Sequence, residues 1–153
     1  MAKRKLQRFA EIAAFENVIQ GAELPIREAH PLKGNWRKDF FKNDNPIILE
    51  LGCGRGEYTI QLAEKYPERN FIGIDIKGAR IWRGGKTATE QKMKNVGFLR
   101  IRIEFLEYFF APKEVNEIWI TFPDPQPKQN DERKRLTSIP FLDRYRKILI
   151  DTG

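Results

Sequence analysis

The 153-residue chain contains little of what several classes of protein require. It has one cysteine, Cys53, and one histidine, His30, so it can form no internal disulfide and offers no usual set of zinc ligands. No apolar run approaches the roughly 20 residues that span a bilayer. A secretory signal would need an apolar stretch after the basic start, and none follows it here. We therefore expect a cytoplasmic protein without a membrane partner or a metal site.

The composition is that of a folded, basic domain. Hydrophobic residues make up 41% of the chain and aromatic residues 12%, which excludes a disordered protein. The length suits a single domain. A formal net charge of +7 and an isoelectric point near 9.6 favour an anionic partner, of which nucleic acid is the commonest.

The chain before residue 46 consists of a basic start and a segment, 9–45, without a strong hydrophobic period. The start is basic, with Lys3, Arg4, Lys5 and Arg8. It is interpreted either as a solvated arm that contacts nucleic acid or as an ordinary frayed terminus. Residues 9–45 are expected to be an irregular extension that docks on the core through an apolar patch at Trp36. We predict two parts, a basic N-terminal extension over 1–45 and the main folded domain over 46–153.

From Pro46 onwards, short apolar runs alternate with helical patterns. The predicted strands are 47–51, 71–75, 96–101 and 117–122. One helix is predicted after Gly56, and three more over 77–94, 105–110 and 140–149. Gly84 and Gly85 are expected to be a weak point in the second helix. The alternation predicts βαβ units and a doubly wound, parallel α/β sheet.

A glycine loop follows the first of these strands. Gly52, Gly54 and Gly56 stand where a doubly wound sheet binds a nucleotide-like cofactor. A dinucleotide would need glycine at the next position, but Glu57 places an anion where a pyrophosphate would rest. S-adenosyl-L-methionine carries cations instead of phosphates, and the nearby carboxylate of Glu50 would favour it. The loop therefore predicts that cofactor.

Two further side chains near this loop have competing interpretations. Asp75 ends the next strand, 19 residues after Gly56, where an acid can accept both ribose hydroxyls; a merely solvated carboxylate is the alternative. Cys53 could be a nucleophile only with His30, which lies in another segment. We interpret Cys53 as a small residue that fills the turn.

A proline-rich segment follows the fourth predicted strand. Its prolines at 123, 125 and 127 stiffen the backbone and end the strand. A stiff loop at the carboxyl edge of the sheet can hold Asp124 beside a cofactor, although a surface turn is the alternative.

Five motifs now occur in order along the chain. They are Glu50-Leu-Gly-Cys-Gly-Arg-Gly56, Phe71-Ile-Gly-Ile-Asp75, Phe122-Pro-Asp-Pro-Gln-Pro-Lys128, Arg133-Lys-Arg-Leu-Thr137 and Phe141-Leu-Asp-Arg-Tyr145. Over about 45–149 the chain resembles the bacterial tRNA (guanine-N7-)-methyltransferase family. The resemblance implies a Rossmann-like sheet of the class I methyltransferase type and methylation of guanine N7 at position 46 of the tRNA variable loop.

The resemblance also implies residue roles. Glu50 and Asp75 would bind the methionine part and the ribose of S-adenosyl-L-methionine, and Asp124 would be the catalytic acid. The remaining cofactor residues would be Gly52, Gly54 and Arg102, with Asp124 beside them. Lys128 would contact the substrate, and the RNA-binding loop would comprise Asn130, Asp131, Glu132, Arg133, Lys134 and Arg135.

Three departures and alternatives accompany this interpretation. The family usually has an acid followed by alanine at the adenine, where this chain has Arg102 and Ile103. Methylation of an exocyclic amino group, or a non-catalytic RNA-binding module with a cofactor fold, would fit the same pattern.

The sheet of this class has the order 3-2-1-4-5-7-6, so we expect strands five to seven to be missing. We also expect an unpaired edge on strand four, and an isolated chain of poor solubility and little activity.

Overall fold

A computed structural model describes residues 2–21, 26–121 and 126–153. The regular elements include five strands, four α-helices and three shorter helical segments in these ranges. The strands are β1 (Val18–Gln20), β2 (Ile47–Leu51), β3 (Asn70–Asp75), β4 (Val96–Arg100) and β5 (Glu117–Ile120). The α-helices are α1 (Ala2–Ala14), α2 (Glu57–Lys65), α3 (Gly78–Glu90) and α4 (Ile139–Ile148). A π-helical segment spans Trp36–Phe41, and 3₁₀ segments span Ile103–Tyr108 and Gln129–Lys134.

The strands form one parallel sheet in the order β1-β4-β3-β2-β5. The four predicted strands correspond to β2, β3, β4 and β5, and their spatial order is the expected 3-2-1-4. The α/β, doubly wound prediction is therefore confirmed. β1 was not predicted, and it pairs with the outer side of β4.

Side-chain alternation along β2 divides the core into two clusters. Ile47, Leu49 and Leu51 face one cluster, which includes the π-helical segment, the first 3₁₀ segment and α4. Ile48 faces the other, which α1, α2 and α3 cover. Because both faces are covered, the strand is an apolar run rather than a clean polar alternation.

The N-terminal residues are more regular than the sequence suggested. The predicted basic arm is helix α1, whose Ile12 is fully buried and which packs on α3. The expected docking of Trp36 is confirmed, since the ring is fully buried and its Nε1 donates a 2.7 Å hydrogen bond to the Phe109 carbonyl. The expectation of an irregular 9–45 segment was wrong for these elements, whereas the division at residue 45 stays a prediction.

Helix α3 does not weaken at its paired glycines. The helix is continuous from Gly78 to Glu90, four residues shorter at its end than predicted. A Cβ at Gly84 would overlap the fully buried Phe98 ring, and one at Gly85 would lie 2.7 Å from Val18 Cγ2. The two glycines therefore let the helix approach the sheet closely.

Strand β5 has only β2 as a neighbour in the described part of the chain. Its other edge is unpaired, as expected, and the Trp119 side chain on it is 42% exposed. None of the helices in the described ranges is long and apolar enough to cross a membrane.

Candidate active site

The glycine loop between β2 and α2 adopts backbone conformations that side chains disfavour. Gly52, Gly54 and Gly56 have φ values of 70°, 57° and 75°. A Cβ at Gly52 or Gly54 would meet nothing within 4 Å, so this part of the loop faces open space. At Gly56 a Cβ would lie 2.5 Å from the Phe98 ring, so this glycine serves packing as well as the turn.

Asp75 connects this loop to the start of α3. Its Oδ2 accepts a 3.0 Å hydrogen bond from the Gly54 amide, and its Oδ1 accepts a 2.8 Å bond from the Lys77 amide. The Gly52 and Cys53 amides both donate to the Ile74 carbonyl, at 2.8 and 3.0 Å. The carboxylate is thereby fixed at the end of β3, with free lone pairs on both oxygens for a further donor.

Glu50 lies under the loop, within the end of β2. Its side chain is only 4% exposed. One carboxylate oxygen accepts a short hydrogen bond from Thr59 Oγ1, and the other accepts a 2.5 Å bond from Thr121 Oγ1. A buried charge requires such partners, and the two hydroxyls hold this one in a single orientation.

Cys53 is unsuited to nucleophilic attack. Its side chain is buried, and burial, aided by the carboxylates of Asp75 and Glu50, raises the pKa of the thiol well above its ordinary value. The thiol therefore stays protonated at neutral pH. This agrees with the interpretation of Cys53 as a residue that fills the turn.

A cleft of about 720 Å³ opens at the carboxyl edge of the sheet. Its lining comes from the ends of β2, β3, β4 and β5, from the starts of α3 and of the first 3₁₀ segment, and from residues before and within α4. The described lining residues are Leu51, Gly52, Asp75, Ile76, Lys77, Arg80, Ile101, Arg102, Ile103, Glu104, Thr121, Gln126, Lys134, Leu136 and Phe141. The cleft thus brings together four predicted site residues, Gly52, Asp75, Arg102 and Lys134, and Glu50 is joined to it by the hydrogen bond from the lining residue Thr121.

Arg102 and Glu104 line the cleft beyond β4. The Arg102 side chain is 55% exposed, and its Nε lies 3.8 Å from Glu104 Oε2. A carboxylate therefore stands two residues after the position where the family usually has its acid. Glu104 was not predicted as a site residue, because the family pattern places its acid at position 102.

The segment that follows Gln126 carries the predicted RNA-binding loop. Lys134 Nζ lies 2.6 Å from Asp131 Oδ1, and Arg135 Nε donates a 3.0 Å bond to the Gln126 carbonyl. The predicted residues Lys128, Asn130, Glu132 and Arg133 are exposed, and none of them is among the described lining residues of the cleft. Asp124, predicted to be catalytic, lies outside the described residues.

Several residues around the site carried no signal in the sequence analysis. Thr59 and Thr121 hold Glu50, and Lys77 and Phe141 line the cleft. Thr121 directly follows a strand, at the edge where ligands bind, so its position could have singled it out.

Comparisons with known proteins agree with this geometry. The protein-family model described as "Putative methyltransferase" matches residues 44–153. A tRNA (guanine-N(7)-)-methyltransferase of Christiangramia forsetii is 57% identical over 99% of this chain, which spans 68% of that relative. The chain belongs to the tRNA (guanine-N(7)-)-methyltransferase family.

Further relatives bear on length and fold. The enzyme of the same name from Bacteroides fragilis is 51% identical over 100% of this chain. The chain spans 60% of that relative. Among solved structures, an antibiotic related methyltransferase superimposes with a TM-score of 0.62 at 18% identity, over 80% of this chain and 61% of that one. This likeness shows the methyltransferase fold.

Proposed function

We propose that this chain uses S-adenosyl-L-methionine to methylate N7 of guanine 46 in tRNA. The observation that carries the proposal is the carboxylate of Asp75, fixed by two backbone amides beside a glycine loop at the open cleft. Membership of the family adds the substrate, because the relatives bear the name of that reaction.

The described residues fit this cofactor better than a phosphate-bearing one. Glu57 begins α2 with a negative charge, which disfavours a phosphate at the helix N-terminus. The buried Glu50 carboxylate supplies a negative charge under Gly52 and Gly54, where the sulfonium and ammonium groups would be attracted. Asp75 retains lone pairs for the two ribose hydroxyls.

The far end of the cleft suits a flat aromatic base. Ile101 and Ile103 supply apolar surface, and the guanidinium of Arg102 is available to stack on a ring. An arginine cannot accept a hydrogen bond from an adenine amino group, but the Glu104 carboxylate can. We therefore include Glu104 with Arg102 at the adenine end of the proposed site.

The cofactor would supply an electrophilic methyl group on a cationic sulfur. Guanine N7 already has a lone pair, so the protein's contribution is positioning and electrostatics rather than a strong base. Asp124 would accept hydrogen bonds from guanine N1–H and the amino group, and its charge would stabilise the cationic product. Lys128 and the loop Asn130–Arg135 would hold the RNA around the splayed base.

Two measurements test the proposal. Calorimetry of the 153-residue chain with S-adenosyl-L-methionine tests the cofactor site. Transfer of labelled methyl groups to unmodified tRNA, followed by nucleoside analysis, tests the reaction. Because the chain spans only 60 to 68% of these relatives, the second assay also uses a chimera that appends the remaining C-terminal part of the Christiangramia forsetii enzyme.

The expected product is 7-methylguanosine at position 46, and its formation by the chimera should require Asp75. A methyl group on an exocyclic nitrogen would overturn the assignment to N7. Absence of cofactor binding by both proteins would overturn the cofactor site. Binding by both without transfer would leave a cofactor-binding module and refute the enzymatic proposal.

A further inference from the structure

Most of the net charge of this chain is concentrated in two neighbouring helices. Helix α1 carries four cationic residues and one acidic residue, and residues 77–90 also carry four and one, so together they hold six of the seven net positive charges. The predicted RNA-binding segment 128–135 has four cations but also two acids. The strongest positive surface is therefore not the one that the motifs indicated.

Helix α1 runs alongside α3 in the same direction. Phe9 packs against Gly78 at the start of α3, and Phe15, just after α1, packs against Gly85, about two turns further along α3. Between them, Trp82 lies under the Arg8 guanidinium at 4.5 Å and donates a 2.5 Å hydrogen bond from Nε1 to Glu11 Oε2. These contacts fix α1 on the domain rather than leaving it as a loose arm.

This arrangement places the first turn of α1 beyond the carboxyl edge of the sheet. Lys3 precedes Phe9 by six residues, which is about 9 Å of helix. Since Phe9 is level with the start of α3, the residues Lys3–Lys5 extend past that start, on the side where the cleft opens. Lys77, just before α3, and Arg80 within it line the cleft itself, so the positive charge is continuous from the cleft to α1.

The cations of this surface are free to meet a ligand. Lys3, Arg4, Lys5, Lys77, Arg80 and Arg83 are all exposed. None of them forms an ion pair with an acidic residue of the described ranges. By contrast, Lys134 and Arg135 of the predicted loop are engaged by Asp131 and Gln126.

We propose that the basic face formed by Lys3, Arg4, Lys5, Lys77, Arg80 and Arg83 binds the phosphate backbone of the RNA substrate. The inference rests on the proposed function, which supplies an RNA at the cleft. A lipid surface fits less well, because an interfacial helix needs a free apolar face. Here Phe9, Ile12 and Phe15 are turned inward, and Leu6 is the one large apolar side chain of α1 that is strongly exposed. Backbone contacts of this kind give affinity without sequence preference.

The test measures equilibrium binding of unmodified tRNA to three proteins across a series of salt concentrations. The test variant changes Lys3, Arg4 and Lys5 to Gln. The control variant changes Lys38, Lys92 and Lys94 to Gln, which removes the same charge from exposed residues at the amino edge of the sheet. Circular dichroism and melting curves establish that all three proteins are equally folded. An additional Arg83→Gln variant tests the face on α3 independently of α1.

The test variant should bind tRNA about tenfold or more weakly than wild type at 0.1 M salt, and the slope of log affinity against log salt should fall by about two. The control variant should retain the wild-type slope, and Arg83→Gln should reduce it by about one. Equal slopes for the test and control variants would overturn the proposal. Wild-type binding to anionic vesicles without binding to tRNA would also overturn it.

These outcomes are distinct from those of the proposed function. If the loss of RNA binding is observed but no 7-methylguanosine forms, the basic face stands and the enzymatic proposal fails. If tRNA is methylated while the test variant and Arg83→Gln bind it as wild type does, the proposed reaction stands and the proposal that the basic face binds RNA is refuted.

Discussion

Replacement of Asp75 by alanine is the most direct perturbation of the candidate cofactor site. It removes the acceptor of the Gly54 amide at 3.0 Å and of the Lys77 amide at 2.8 Å, together with the acceptors proposed for the ribose. Hydrogen bonds to a charged group contribute about 1.5–3 kcal/mol each, and much less where water can replace the lost partner. Since Asp75 is only half-buried, both amides can be rehydrated in the variant.

The two consequences should therefore differ in size. We expect the free energy of unfolding to fall by about 1 kcal/mol. We expect the free energy of cofactor binding to weaken by about 1–3 kcal/mol, or about 5- to 150-fold in Kd. The larger effect on binding follows because the bound cofactor itself displaces the water that could replace the lost acceptor of a ribose hydroxyl.

Calorimetric titration with S-adenosyl-L-methionine, at a temperature where both proteins are fully folded, measures the second quantity. Asp44→Ala is the matched control, because Asp44 is an exposed acid just before β2, at the opposite edge of the sheet. Its affinity should equal that of wild type. An Asp75→Ala variant that binds the cofactor as tightly as this control would refute the assignment of Asp75.

Three further predictions concern catalysis, packing and pH. Asp124→Asn should lower turnover by about a hundredfold while cofactor affinity stays within twofold, as measured by methyl transfer and calorimetry, because only the charge facing the product is lost. Gly84→Ala should lower the free energy of unfolding by about 1–2 kcal/mol, because the added methyl group overlaps Phe98, despite the better helix propensity of alanine. Adding Phe98→Leu to the same chain should restore part of this stability. A Gly84→Ala variant more stable than wild type in urea titrations would contradict this packing. Burial lowers the pKa of His30 below its ordinary 6.5, and its Nδ1 accepts a hydrogen bond from the Leu32 amide, so protonation is favoured in the unfolded chain. Stability should therefore decrease as pH falls through about 6.5 towards the folded-state pKa, and urea titrations of His30→Gln should lack this component.

The sequence predicted the central strands because their environment is uniform. Both faces of β2 are covered, so nearly every residue from Ile47 to Leu51 is apolar and the pattern stands out locally. The same holds for β3 and β4. The glycines and Asp75 were also identifiable, since a loop after one strand and an acid ending the next follow from the topology of a parallel sheet.

What the sequence could not predict depends on contacts between distant residues. Helix α1 buries only Ile12 fully, and Phe9 packs against Gly78 in a distant segment, so little in its own sequence marked it as part of the core. β1 has three residues, and it is a strand only because Val18 pairs with Phe98 far along the chain. The partners of Glu50 come from α2 and from the residue after β5, so its burial under the loop was not apparent. The same dependence concealed the function of Gly84 in packing.

The insertion of one aromatic ring among three glycines has a consequence for how this domain can vary. A Cβ at Gly56, Gly73 or Gly84 would lie within 3 Å of the Phe98 ring, so these four positions share one fixed volume. In a randomised library selected for folding, larger residues at Gly73 or Gly84 should be recovered only together with a smaller residue at position 98, whereas Gly56, with a φ of 75°, should be retained in either case. Because Gly56 also ends the glycine loop, a different side chain at the buried position 98 would alter the packing against that loop without touching any residue described as lining the cleft.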